Sequence, residues 1–146
     1  MSFNITYPAG GIIDLVRRIG NPVQVVPPPH LFATYPRPFV KGFRLDIPAT
    51  PDDGQIIYPI EYAVPGEMEL LSIEVGCTGY SDLDYWNFYI DSRIACETVY
   101  TKEISQVKNF GAVKLVQGIP LRLEFFNNSH TSKVVWADFN FAVPIA

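Results

Sequence analysis

Strict alternation of apolar and polar side chains is the feature that most narrows what this chain can fold into. Across residues 133–143, Val135, Ala137, Phe139, Phe141 and Val143 share one face, while Trp136, Asp138 and Asn140 share the other. Trp86, Phe88 and Ile90 alternate with Tyr85, Asn87 and Tyr89. Leu121, Leu123 and Phe125 alternate with Arg122 and Glu124. Successive side chains of a strand point to opposite faces, so each run predicts a strand with one face buried. Further strands are predicted over 40–47, 55–64, 67–80, 93–100 and 111–117. In 67–80 the buried face is assigned to Leu71, Ile73 and Val75, and Pro59 places 55–64 at a sheet edge or breaks it there. Asp91-Ser92 predicts one hairpin, and Gly118 predicts another joining 111–117 to 120–127. About eight short strands punctuated by Gly, Asn and Asp predict an all-β fold, a two-sheet antiparallel sandwich with jelly-roll-like topology.

Proline divides the chain. Nine of the thirteen prolines precede residue 52, among them Pro27-Pro28-Pro29. Proline removes a backbone donor and keeps its predecessor extended, so this stretch is no central strand. The expected organisation is an extended Pro-rich arm over 1–50 and a β-sandwich over 51–146. Ile12, Leu15, Val16 and Ile19 recur at helical spacing, with Arg17 and Arg18 in the last turn and Gly20-Asn21-Pro22 as a stop. One short helix is therefore predicted near 11–19. Such a helix is marginal alone and needs a partner surface.

Charge follows the same division. Residues 1–50 carry five basic and two acidic side chains; residues 51–146 carry six and thirteen. A basic arm and an acidic body suit contact between copies. The expected subunit-contact residues are Ile12, Leu15, Val16, Arg17, Arg18, Ile19, Phe32, Tyr35, Arg37 and Phe39. The first residues lack a signal-peptide pattern and no run of about 18 apolar residues occurs, so synthesis in a cytoplasm and no membrane partner are expected.

Chemistry-bearing patterns are few. Cys77 and Cys96 lie in strand-like runs and read as buried free thiols, with a disulfide as the alternative. His30 and His130 sit near no nucleophile motif, and neither a phosphate-binding glycine loop nor a zinc pattern is present. No catalytic, metal or cofactor site is expected. The loop holding Tyr80, Asp82, Asp84 and Tyr85 sets aromatic rings beside carboxylates, a combination that could grip a glycan or calcium; a plain polar turn with Trp86 buried is the simpler reading. Lys102, Lys108 and Lys114 near Tyr100 and Phe110 form a basic-aromatic mixture, but their acidic surroundings point to a solvated face and no nucleic-acid partner.

From about Leu70 onward the sequence resembles small accessory virion proteins of tailed bacteriophages. The likeness rests on Asp84-Tyr85-Trp86, Val99-Tyr100-Thr101-Lys102-Glu103, Phe110-Gly111, Phe125-Phe126-Asn127-Asn128-Ser129 and Lys133-Val134-Val135-Trp136-Ala137-Asp138-Phe139. It implies a β-sandwich on a capsid, neck or tail and carries over no catalytic residue. The layout also resembles carbohydrate-binding modules. The expectation is a non-enzymatic virion protein, made in the host cytoplasm, whose arm packs on neighbouring virion subunits in a homo-oligomer. A carbohydrate-binding module, with a host-surface glycan as partner, is the alternative.

Overall fold

Two of the alternating runs, 84–91 and 120–127, become neighbouring central strands of one sheet, and 133–143 becomes a central strand of another. The computed structural model describes residues 5–6, 14–15 and 33–145. The chain divides into two units, Met1–Thr34 and Tyr35–Ala146. In the first, β1 (Ile5–Thr6) pairs antiparallel with β2 (Asp14–Leu15). Of the helix expected near 11–19, Asp14 and Leu15 are thus extended rather than helical; the remainder of that expectation lies outside the described residues. A turn of helix with no packing surface of its own has little to oppose an extended pairing.

The second unit contains β3 (Arg37–Ile47), β4 (Ile57–Ala63), β5 (Met68–Cys77), β6 (Tyr85–Ile90), β7 (Arg93–Tyr100), β8 (Gln106–Leu115), β9 (Pro120–Phe126) and β10 (Lys133–Val143). They form two four-stranded antiparallel sheets, in the orders β3-β10-β5-β8 and β4-β9-β6-β7. Every connection crosses between sheets except the one joining β6 to β7. There Asp91 and Ser92 both take positive φ, 51° and 65°, the backbone of a two-residue turn matched to strand twist.

The inward faces meet in one aromatic-rich core. Trp86, Phe88, Phe125, Phe139 and Phe141 are fully buried, with Leu70, Ile73, Leu121 and Leu123. Phe139 of one sheet meets Phe88 of the other edge-on at 5.4 Å between ring centres and lies 5.0 Å from Phe43. Burying each such side chain contributes roughly 1.5–3 kcal/mol. Proline falls where ladders tolerate it: Pro38 lies on β3 and Pro59 on β4, both edge strands.

Four sequence expectations change. The sandwich begins at Tyr35, not at residue 51, because β3 pairs with β10 along its whole length, from Arg37↔Val143 to Ile47↔Lys133; proline content and charge do not report on strand pairing. Leu70, not Leu71, is the core residue. Leu71 is an extra residue of β5 opposite β10, where Ser72 pairs with Asn140 and Leu70 with Phe141, and a bulge of this kind resets the alternation. The hairpin expected around Gly118 does not form. β8 pairs with β5 and β9 with β4 and β6, and Gly118, at φ 90°, sits in a crossing whose amide donates to the Val64 carbonyl. Ile90 is half-buried and packs against the core rather than within it.

These assignments fix the relative cost of truncations. Phe125→Ala and Phe139→Ala are each expected to destabilise by about 3–5 kcal/mol, and Leu70→Ala by about 2–5 kcal/mol. Leu71→Ala should cost clearly less than Leu70→Ala. Urea unfolding of the four variants measures all of these; equal losses at 70 and 71 would contradict the bulge.

Candidate functional site

The loop between β5 and β6 was the strongest sequence candidate, and its geometry is set by a turn. The Asp84 amide donates to the Ser81 carbonyl at 3.1 Å, the Ser81 amide donates to Thr101 Oγ1 at 3.2 Å, and the Thr101 amide donates to the Asp84 carbonyl at 3.0 Å. This holds the loop against the chain leaving β7 and turns the Asp84 side chain inward. Asp84 Oδ1 accepts the Ser129 amide at 2.8 Å, and Oδ2 accepts the Ser129 hydroxyl at 2.9 Å together with Lys133 Nζ. Lys133 Nζ also donates to the Gly79 carbonyl at 3.0 Å and to Ser129 Oγ at 3.2 Å. Both charged side chains are completely buried. Three ammonium protons therefore meet three acceptors, the condition under which a buried pair is tolerated. The pair ties the 78–84 loop to the 127–133 loop at one end of the sandwich.

The expectation that Asp84 serves a glycan or calcium is corrected by this arrangement: its carboxylate has no open side. Tyr80 and Asp82 remain outside, lining with Tyr100, Lys102, Glu103 and Ile104 an open groove of about 700 Å³. Tyr85 lies on the outer face of the second sheet, half-buried, stacked on Phe126 at 4.5 Å and edge-on to Tyr100 at 5.7 Å. Sequence reasoning missed Lys133, although a signal existed. The inward phase of β10 (135, 137, 139) extends back to 133, which puts a lysine on a core-facing position.

A second groove, about 690 Å³, opens on the same sheet, lined by Glu61, Tyr89, Arg122 and Glu124 among others. Arg122 Nε donates to Glu124 Oε2 at 2.8 Å, and its Nη1 donates to Glu61 across the β4–β9 ladder. The hydrogen bond that Arg122 donates to Glu124, then the charges of Glu124 and Glu61, hold the guanidinium above its ordinary pKa despite some burial.

Residues 36–144 match the family described as Domain of unknown function (DUF8551). The chain belongs to this family. No curated protein matches it. The DUF8551 match starts one residue inside the sandwich unit and runs through β10, so it covers all eight strands.

Three expected subunit-contact residues lie in or beside the DUF8551 sandwich. Tyr35 donates its amide to Glu69 Oε1 at 2.9 Å and its hydroxyl to Glu67 Oε1 at 3.0 Å, with Lys114 Nζ 4.6 Å from its ring centre. Arg37 opens β3, exposed, and the half-exposed Phe39 stacks on Phe141 at 6.1 Å. Leu15 is described by its pairing with Ile5. Ile12, Val16, Arg17, Arg18, Ile19 and Phe32 lie outside the described residues, as does His30.

His130, in the loop after β9, hydrogen-bonds through Nδ1 to Thr50 Oγ1 at 2.9 Å. Among the described residues no group of three or more His, Cys, Asp or Glu is placed to hold a metal ion. Cys77 and Cys96 are free, half-buried, and belong to different sheets. Burial pushes both thiols up, against the opposing pull of Lys133 on Cys77 and Lys108 on Cys96.

Two outcomes follow from this geometry. Lys133→Met strands a buried carboxylate and should cost about 3–5 kcal/mol in urea unfolding. Adding Asp84→Ala should cost less than the sum of the single losses, because the two groups are coupled. The thiolate is the reactive form, so both cysteines should label with a disulfide reagent more slowly than an exposed thiol near neutral pH, and fast once the protein is unfolded. Rapid labelling of the folded protein would contradict their burial.

Proposed function

We propose that this protein is a non-enzymatic structural subunit of a phage virion, a jelly-roll sandwich that decorates or joins subunits through the segment ahead of Tyr35. The observation that carries this reading is the coincidence of two boundaries. The chain divides between Thr34 and Tyr35, and the family match begins at residue 36. Among the described residues, the sandwich core is built from β3 to β10 and the turns between them. Ahead of it lie Ile12, Leu15, Val16, Ile19, Val23, Val25, Val26, Leu31 and Phe32, interspersed with prolines. Each large apolar side chain left in water forgoes roughly 1.5–3 kcal/mol, and proline lowers the entropy lost when such a ribbon is ordered on a neighbour.

The strand orders support the jelly-roll reading, because the eight strands β3 to β10 interleave as first-eighth-third-sixth and second-seventh-fourth-fifth. The resemblance of the region from Leu70 onward to accessory virion proteins points to the particle. Charge contributes less than the 1–50 division suggested. Arg37, Lys41 and Arg44 belong to β3, which leaves Arg17 and Arg18 against Asp14 ahead of Tyr35. The attraction proposed between copies is therefore mainly apolar.

Deletion of residues 1–33 tests the reading and spares the Tyr35 contacts to Glu67 and Glu69. The full chain is expected to sediment as an oligomer or with particles. The truncated chain should keep its β-rich circular dichroism spectrum and sediment as a monomer. Identical sedimentation of the two would overturn the proposal.

A further inference from the structure

Beyond a structural role, the outer face of the β3-β10-β5-β8 sheet carries an exposed indole and a carboxylate on one strand, whereas in the Tyr80–Tyr85 loop the Asp84 carboxylate is buried on Lys133. We propose that this face binds a neutral saccharide, with one sugar ring stacked on Trp136 and its hydroxyls held by Asp138.

The placement follows from β10. Val135, Ala137 and Phe139 are fully buried, so Trp136, Asp138 and Asn140 point outward, spaced by two residues, or about 6.8 Å. Trp136 is 37% exposed, a large ring set in a polar row. Its neighbour across the ladder is Gly76. A Cβ at 76 would fall 2.7–2.8 Å from Cε2, Cζ2 and Nε1 of the indole. The glycine is therefore what lets the ring settle against the sheet as a platform instead of standing off it. Asp138 is flanked on β3 by a second glycine, Gly42, where a Cβ would lie 3.1 Å from Oδ1. Each group thus has a glycine on one side, with Arg44 on the other side of Trp136 and Glu74 on the other side of Asp138. Further along the row, Asn140 Nδ2 donates to Ser72 Oγ at 3.0 Å, an oriented amide-hydroxyl pair.

These groups match the two sides of a sugar ring. Its C–H face is apolar and weakly positive and stacks on the negative face of an indole. Its hydroxyls need acceptors and donors, and Asp138 makes no hydrogen bond or ion pair within the described residues. Asp138 stands opposite Glu74 in the ladder, and Arg44, opposite Trp136, is paired with Asp46, so the net local charge is negative and disfavours anionic glycans. A protein partner fits less well, because the centre of a protein interface is depleted in charged residues, whereas here a carboxylate sits next to the exposed indole.

Tryptophan emission tests this with the full chain, since Trp86, the second tryptophan, is fully buried. The probes are soluble neutral hexasaccharides of glucose, mannose, xylose and N-acetylglucosamine, each titrated singly. A saturable emission change is expected with at least one. Asp138→Asn, nearly isosteric, should weaken it about tenfold or more; Gly76→Ala, which displaces the ring, should weaken it too. Trp136→Ala should abolish binding measured by calorimetry, with an unchanged circular dichroism spectrum. Trp86→Phe should keep the emission change. The absence of a saturable response to any of these saccharides overturns the proposal. So does binding that survives both Trp136→Ala and Asp138→Asn. Loss of oligomerisation on deleting residues 1–33, with saccharide binding intact, would show the two roles to be separate.

Discussion

The contact of Phe139 with Phe88 on the opposite sheet and Phe43 on the adjacent strand holds the sandwich together. Phe139 occupies the middle of β10, the strand paired on both sides by the long ladders to β3 and β5. Phe88 occupies the corresponding middle of β6, between β9 and β7. The Phe139 and Phe88 rings, 5.4 Å apart, bridge the two sheets, and Phe43 braces Phe139 from the same sheet at 5.0 Å; close packing passes that constraint to the inward residues around them. Because nearly every connection crosses between sheets, the two layers must form together for either to be buried.

Crossing connections leave loops at both ends of the sandwich, and one end is closed by polar chemistry. Asp84 and Lys133 are removed from water and matched atom by atom, with Ser129 and Gly79 completing the set. A buried pair adds little net stability relative to an apolar replacement, but it penalises any arrangement that leaves one member alone. It therefore works as a register device, fixing where the strand after Ser129 begins relative to the strand after Asp84. Nearby, Trp86 Nε1 has no acceptor among the described residues, and Trp86 helps line a void of about 10 Å³ with Cys77 and Thr101. That volume is about the least that admits one water molecule.

The outward faces differ in character. On the β4-β9-β6-β7 sheet, Arg122 is held between Glu61 and Glu124, so its guanidinium is engaged by two carboxylates. On the β3-β10-β5-β8 sheet, Asp138 is left to solvent beside an exposed indole. The second arrangement offers an unengaged carboxylate to a ligand and the first a guanidinium already engaged, which is why the saccharide site is placed at Trp136 rather than in the groove beside Arg122.

Local alternation was enough to locate most of the sandwich strands, most of their inward faces and the β6–β7 hairpin, because pleat and turn act over one or two residues; β8, expected over 111–117, instead runs from Gln106 to Leu115, and Pro59 left an edge or a broken strand equally open for β4. Alternation could not say that the chain turns from β8 into the other sheet at Gly118 rather than back along itself. An alternating run looks the same whichever strand it pairs with. Nor could it place Leu70 inside and Leu71 at a bulge, since a bulge exists only relative to a partner, here Phe141 and Asn140. Asp84 illustrates the same limit at the site. Its own neighbours, Tyr80, Asp82 and Tyr85, suggested a ligand loop, while its fate was decided by Lys133, 49 residues away. The sequence by itself determined where most sandwich strands run and which way most of their side chains face; tertiary structure decided pairing, the β5 bulge and which polar groups stay open, because these depend on burial against residues distant in the chain.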